Sequence, residues 1–233
     1  MKNIFKSTMG LALFCLSTVS YALPSAFTAT YDVKKSGMTL GNMQTSLSYN
    51  GNQYHYHKKS KTTGLASLFS GDVIVENADG IFNGEYLQPR TYLYHHISKR
   101  KNRKTLATFL SPTKVNGSHK NQPFSLDVSA TSIDRATLEL ALARDLLNKK
   151  TTFSYLVIEK DKQKRYDLNA LGDEVLTING ISYHCKKMIV KRDDQSRKTI
   201  FWLAKETDFM PVKINHAEKG DSVVSTLKTF SRK

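Results

Sequence analysis

The sequence predicts a mainly β, single-domain protein: a curved antiparallel sheet or incomplete β-barrel with one long helix packed on its concave face. Three observations predict it. About a dozen short segments, many rich in β-branched and aromatic residues, are separated by turn-forming Gly, Asn, Asp and Pro. One stretch, Ser129 to Lys150, instead repeats its apolar residues at helical spacing. That stretch carries two apolar stripes where a helix on an open sheet needs one, so something covers both of its sides.

Taken in order, the chain begins with Lys2 and Lys6, followed by the apolar run Met9 to Leu16. Ser20-Tyr21-Ala22 then places small residues where a signal peptidase reads. Residues 1–22 are expected to be a signal peptide cleaved after Ala22, and residues 23–233 a single exported, periplasmic domain. Phe14 precedes Cys15 where a lipoprotein signal needs a small side chain, and no other stretch reaches the length of a membrane span. Loss of Lys2 and Lys6 lowers the formal net charge from +15 to +13. A surplus of this size favours anionic partners: in the envelope, lipid headgroups, phosphorylated glycolipid or acidic wall polymer ahead of nucleic acid. Only Cys185 survives cleavage, so no intramolecular disulfide forms, and it reads as a half-buried strand thiol.

Strands are expected over Phe27 to Val33, Met38 to Tyr49 and Gln53 to Lys61, with Ser36-Gly37 and Asn50-Gly51 as turns. Thr63 to Ser70 breaks the pattern and reads as a helical turn or a loop. Further strands follow at Asp72 to Glu76, Ile81 to Asn83 and Arg90 to Ile97, punctuated by Asp79-Gly80, Asn83-Gly84 and Pro89. Lys99 to Lys104, five basic residues in six, reads as the tip of a hairpin that resumes at Thr105 to Leu110. Pro112, Asn116-Gly117 and Pro123 then carry the chain by turns to the helix.

In the helix, Ser129 or Thr131 supplies the N-cap, Asp134 sits in the first turn, and Asn148, Lys149 and Lys150 suit the C-terminal end. Ile133, Ala136, Leu140, Ala143 and Leu147 make one stripe; Leu138, Leu142 and Leu146 make the second. Seven strand candidates follow: Thr152 to Glu159, Lys164 to Leu168, Glu174 to Ile178, Ser182 to Lys191, Lys198 to Ala204, Val212 to Ala217 and Ser222 to Phe230. A faint internal echo relates Tyr31-Asp32 and Asn50-Gly51 to Tyr166-Asp167 and Asn179-Gly180. A duplication would give two similar meanders.

The order of several weak motifs adds a further indication. These are Tyr31-Asp32, Gly41, Pro89 to His96 running into Lys99 to Lys104, Asp127 to Ser132 opening the helix, and Phe201-Trp202-Leu203 followed by Pro211 to Ile214. In this order they resemble the family called Domain of Unknown Function 3108, over nearly all of the chain beyond the signal. The resemblance implies an exported Gram-negative envelope protein without an assigned activity, similar in plan to periplasmic carriers whose curved sheet holds a helix. One departure is that Val128, not proline, follows Asp127.

Candidate chemistry is sparse. His55 and His57 share a strand face and would need a third ligand such as His95 or His96, yet no metal-binding motif accompanies them, so neither metal nor cofactor is expected. No nucleophile motif or paired carboxylate spacing points to catalysis, so no catalytic residue is assigned. The expected activity is therefore non-catalytic binding of an amphipathic anionic lipid or glycolipid. Leu65, Leu68, Phe69, Leu138, Leu142 and Leu146 would contact the aliphatic part. Lys99, Arg100, Lys101, Arg103 and Lys104 would contact the headgroup or an anionic leaflet, where each cation contributes roughly 1 kcal/mol. His57 to Lys61 would extend the same patch if the strands are adjacent. The rival expectation is an envelope interaction module, docking a partner protein through the second helix stripe or an open sheet edge. An enzyme acting on envelope polymer is a third.

Overall fold

The structure is a computed structural model that describes residues 22–191, 197–218 and 220–233. Of the expected signal peptide only Ala22 is among the described residues. The chain first forms β1 (Phe27–Lys35), β2 (Met38–Asn50), β3 (Gln53–Thr62), the short helix α1 (Gly64–Phe69), β4 (Val73–Phe82) and β5 (Leu87–Ser98). Next come β6 (Lys101–Ser111), β7 (Lys114–His119), β8 (Gln122–Asp127), β9 (Ile133–Asp134) and the long helix α2 (Arg135–Leu147). The remainder is β10 (Phe153–Glu159), β11 (Lys162–Ile178), β12 (Ile181–Lys191), β13 (Arg197–Ala204), β14 (Pro211–Glu218) and β15 (Asp221–Arg232).

All 15 strands belong to one open sheet, ordered β8 through β1 and then β15 through β9. The first and last strands are neighbours at its middle, paired from Phe27 with Arg232 to Lys35 with Val223. Its two ends, β8 and β9, are joined by the residues that lead into α2. The pairs are antiparallel except β9 with β10, which run parallel through Ile133 with Val157 and Asp134 with Ile158.

Strand alternation puts Phe27, Ala29 and Tyr31, Met43 and Leu47, and Tyr54 and Tyr56 on the buried inner face, and α2 lies against that face. Tyr54 and Tyr56 reach the helix directly: Tyr54 shares a hydrogen bond with Thr137 (2.9 Å), and Tyr56 donates to Glu139 (2.8 Å). Both stripes of α2 are covered by the protein itself, since Leu140 and Ala143 on one and Leu138, Leu142 and Leu146 on the other are all buried. Burying a leucine stabilises by about 1.5–3 kcal/mol, so the second stripe is a major part of the core. At the C-terminal end, Asn148 donates to the Arg144 carbonyl (2.7 Å) and to the Ala22 carbonyl (2.9 Å).

Several local expectations shift. The N-cap is Asp134 rather than Ser129 or Thr131. Its carboxylate accepts from the backbone amides of Ala136 and Thr137 at 2.9 and 2.8 Å, closing two of the orphan donors of the first turn. Asp79-Gly80 lies inside β4, opposite a bulge at Arg90 of β5, and is not a turn between two strands. Only glycine fits there, because a β-carbon would stand 2.4 Å from the Tyr54 hydroxyl oxygen and from the Gln88 carbonyl oxygen. Asn116-Gly117 likewise lies within β7, where the Phe124 ring approaches Gly117. β11 runs unbroken through a bulge at Ala170–Gly172 where two strands were expected.

That bulge decides the internal echo. Gly37 turns β1 into a separate strand, whereas Gly172 only bends one, so equating Tyr31 with Tyr166 breaks the strand order. Agreement resumes after the two Asn-Gly hairpins, ending with Pro89 and Pro211 each paired just past a bulge.

Candidate anion-binding site

The first residue of α2 carries the site inward. Arg135 leaves the helix beside β4 and β5, its Nε donates to Glu76 at 3.0 Å, and its guanidinium lies 4.8 Å from the Tyr94 ring centre. Tyr92 donates to the same Glu76 oxygen at 2.6 Å. Burial alone would raise the Glu76 pKa, but Arg135 and Lys58 beside it and the hydrogen bonds from Arg135 and Tyr92 hold it below the usual glutamate value. Glu76 is therefore a buried carboxylate that stays ionised and keeps Arg135 in place. Lys58 sits next in the row, with its ammonium on Glu139.

Below Arg135 the helix cap continues the row. The Thr137 hydroxyl donates to Asp134 at 2.6 Å, which leaves Tyr54 as donor to Thr137. Asp134 is 0 % exposed, and burial pushes its pKa up to about 7 against the opposing hydrogen bonds from Thr137 and Ala136.

Arg135 opens into a cleft of about 310 Å³. Four more cations reach it from separate elements: Arg103 from β6, Lys120 from the β7–β8 turn, Lys160 from the β10–β11 turn and Arg197 from the start of β13. Among the described residues the acidic side chains of the lining are Glu159 and Glu218, so five cations there face two carboxylates. Both carboxylates already have partners: Lys164 and Tyr166 donate to Glu159 at 2.6 and 3.0 Å, and Arg197 donates to Glu218 at 2.8 Å. His119 and His216 complete the rim, each 2.8–2.9 Å from a threonine hydroxyl on the neighbouring strand, Thr105 and Thr199. Burial lowers the His119 pKa, and nearby Lys120, Lys160 and Arg103 lower it further against Asp161, so the ring is neutral at pH 7. A positive pocket with tyrosine rings in its wall suits a phosphate, sulfate or carboxylate group.

A family model described as "Protein of unknown function (DUF3108)" matches residues 26–228. The chain belongs to that family, as its motif order indicated. Among solved structures, the crystal structure of a β-barrel-like protein of domain of unknown function 1849 from Brucella abortus is similar in fold. The TM-score is 0.64 over 91 % of this chain and 100 % of that one, at 10 % identity. A search of curated proteins finds no match.

The residues singled out from sequence are distributed differently from a single binding patch. Leu138, Leu142 and Leu146 fill core and line none of the clefts described here, because the sheet wraps both sides of α2. Leu68 is 64 % exposed on α1; the side chains of Leu65 and Phe69 lie outside the described residues. The basic run is mostly strand, with its turn at Lys99–Arg100, so period-two alternation splits it. Arg103 shares the inner face with buried Thr105 and reaches the cleft, whereas Lys104 belongs to the outer face. Lys99 instead ties the hairpin to α1 through the Leu68 carbonyl.

His57 to Lys61 does not extend the basic run, since β4 and β5 separate β3 from β6 and Lys58 points inward. His55 and His57 do share an outer face, where they meet Asp79 and Asn77. Cys185 is buried at 2 % exposure, and burial, with Glu206 and Glu174 nearby, pushes its thiol up to about 11. Lys120, Lys160, Arg197, His119 and His216 were not singled out by the sequence as cleft residues. They lie near turns or strand ends; neighbouring strands bring His119 and Lys120 to Arg103 and His216 to Arg197, and the wrapping of the sheet brings these groups and Lys160 together.

Proposed function

We propose that the protein is a non-catalytic binding protein of the Gram-negative envelope, exported to the periplasm, whose ligand is an anionic lipid or glycolipid held by its headgroup. The observation that carries this reading is the convergence of Arg103, Lys120, Arg135, Lys160 and Arg197 on one cleft that contains two carboxylates among the described residues. Because the leucines of α2 are enclosed, the aliphatic part of the ligand stays outside the cleft. Exposed Leu68 and the Lys99–Arg100 turn, tied to each other, supply a surface for it. The interaction-module reading is favoured by a different observation, taken up below.

Native mass spectrometry of the mature protein purified from its own periplasm, followed by organic extraction, tests the proposal. A stoichiometric co-purifying anionic lipid supports it. A clean apo mass that persists after incubation with envelope lipids overturns it.

A further inference from the structure

The sheet leaves a strand-wide gap beside β10. On one side β10 pairs with β11 along its whole length, from Phe153 with Leu168 to Glu159 with Lys162. On the other side β9 covers only Val157 and Ile158. Continued upstream in the same parallel register, residues 129–132 would lie beside Phe153 to Leu156. They turn away instead, with the Ser132 amide donating to the Ser129 carbonyl at 2.9 Å. Among the described residues no strand pairs with that half of β10, so alternate backbone N–H and C=O groups there have no ladder partner.

A cleft of about 590 Å³ is lined by Ser154 to Leu156 of this edge, by Ala130 to Ile133, by Tyr86 to Gln88 at the start of β5, and by Ala141 of α2. Ser132 lines it, is 4 % exposed, and its hydroxyl has no hydrogen-bond partner among the described residues. Among the described residues the charge is again unbalanced: Arg144, Lys150 and Arg165 line the cleft with a single carboxylate, Asp145. Arg144 and Lys150 share that carboxylate at 2.5 and 3.2 Å.

We propose that this gap receives an extended, acidic segment of a partner protein, which adds as a strand to Phe153–Leu156 in line with β9. Main-chain hydrogen bonds would hold it, and Lys150 and Arg165, both exposed, would select acidic side chains. The proposal is independent of the anion cleft, which lies elsewhere on the protein.

Selecting a phage-displayed random heptapeptide library on the mature protein, then measuring the enriched peptides by fluorescence anisotropy, tests it. Acidic peptides are expected. N-methylation of every second amide should lower affinity at least tenfold in one register and under twofold in the other, the signature of a strand pairing by one edge. Arg165→Glu with Lys150→Gln should weaken binding at least fivefold, while Arg103→Glu leaves it unchanged. No enriched peptide, equal tolerance of both methylation registers, or indifference to the paired charge substitutions would overturn the proposal.

Discussion

The two ends of α2 both carry buried charge, and they use it in opposite ways. At the C-terminal end, Arg144 is consumed: its side chain is 8 % exposed, with Nε and Nη2 on Asp145 and Nη1 on the Glu85 carbonyl. Tyr155 takes the other Asp145 oxygen. At the N-terminal end, Arg135 has one carboxylate partner, is 38 % exposed, and faces a cleft where cations already outnumber acids. The helix dipole adds positive potential there. A buried cation that engages a partner through each of its three nitrogens holds the fold together, whereas a half-exposed one with a single carboxylate partner at an opening can bind.

Substitution at the closed end, at Arg144, should cost the most. Arg144→Ala leaves Asp145 buried without its nearest cation, which should cost about 3–5 kcal/mol in urea unfolding and leave anion binding by the folded fraction unchanged. At the open end, Arg135→Ala should cost less, about 1–3 kcal/mol because Arg135 is partly solvated, and should abolish binding. Adding Glu76→Gln to it should recover stability without recovering binding.

Next in size is a pH effect centred on the cap. The folded pKa of Asp134 is raised, so the stability it contributes is complete below pH 4 and is lost as pH rises towards 7. Glu76 runs the other way, since its lowered folded pKa gives stability that is lost on acidification. Asp134→Asn keeps an N-cap residue type and should remove on the order of 2–4 kcal/mol of decline between pH 4 and 7, read from urea midpoints across that range.

Smaller again, Arg103→Glu with Lys160→Glu should weaken headgroup binding about tenfold, roughly 1.4 kcal/mol, with stability moved by under about 0.5 kcal/mol. Smallest is the hairpin turn: Lys99→Ser with Arg100→Ser should leave binding of a soluble headgroup within twofold. Sedimentation with anionic vesicles should still fall, by roughly 1 kcal/mol per lost cation.

Local chemistry made the fold legible and the site mostly illegible. Asn50-Gly51 and Asn179-Gly180 marked hairpins correctly because their neighbours impose nothing further. Gly80 and Gly117 were misread as turn signals, because the atoms that require them come from strands distant in sequence or folded back against them. The double stripe of α2 announced that both faces would be covered, but not by what. Of the basic run Arg103 lines the cleft: alternation sends Lys104 to the opposite face, Lys99 and Arg100 form the turn, and Lys101, at the strand end, lies near Asp72. Lys120 comes beside Arg103 through the adjacent β6–β7 pairing, but Lys160 and Arg197 meet them only after the sheet has wrapped, and no local pattern encodes that meeting.

On the proposed reading, the cleft at the N-terminal end of α2 binds an anionic headgroup. Isothermal titration of the mature protein with dihexanoyl phosphatidylglycerol, kept below its micelle concentration, tests it most directly. The account predicts saturable one-to-one binding that weakens as salt rises and is lost in the Arg135→Ala, Glu76→Gln protein. Absence of saturable binding, or equal binding by that protein, would contradict it.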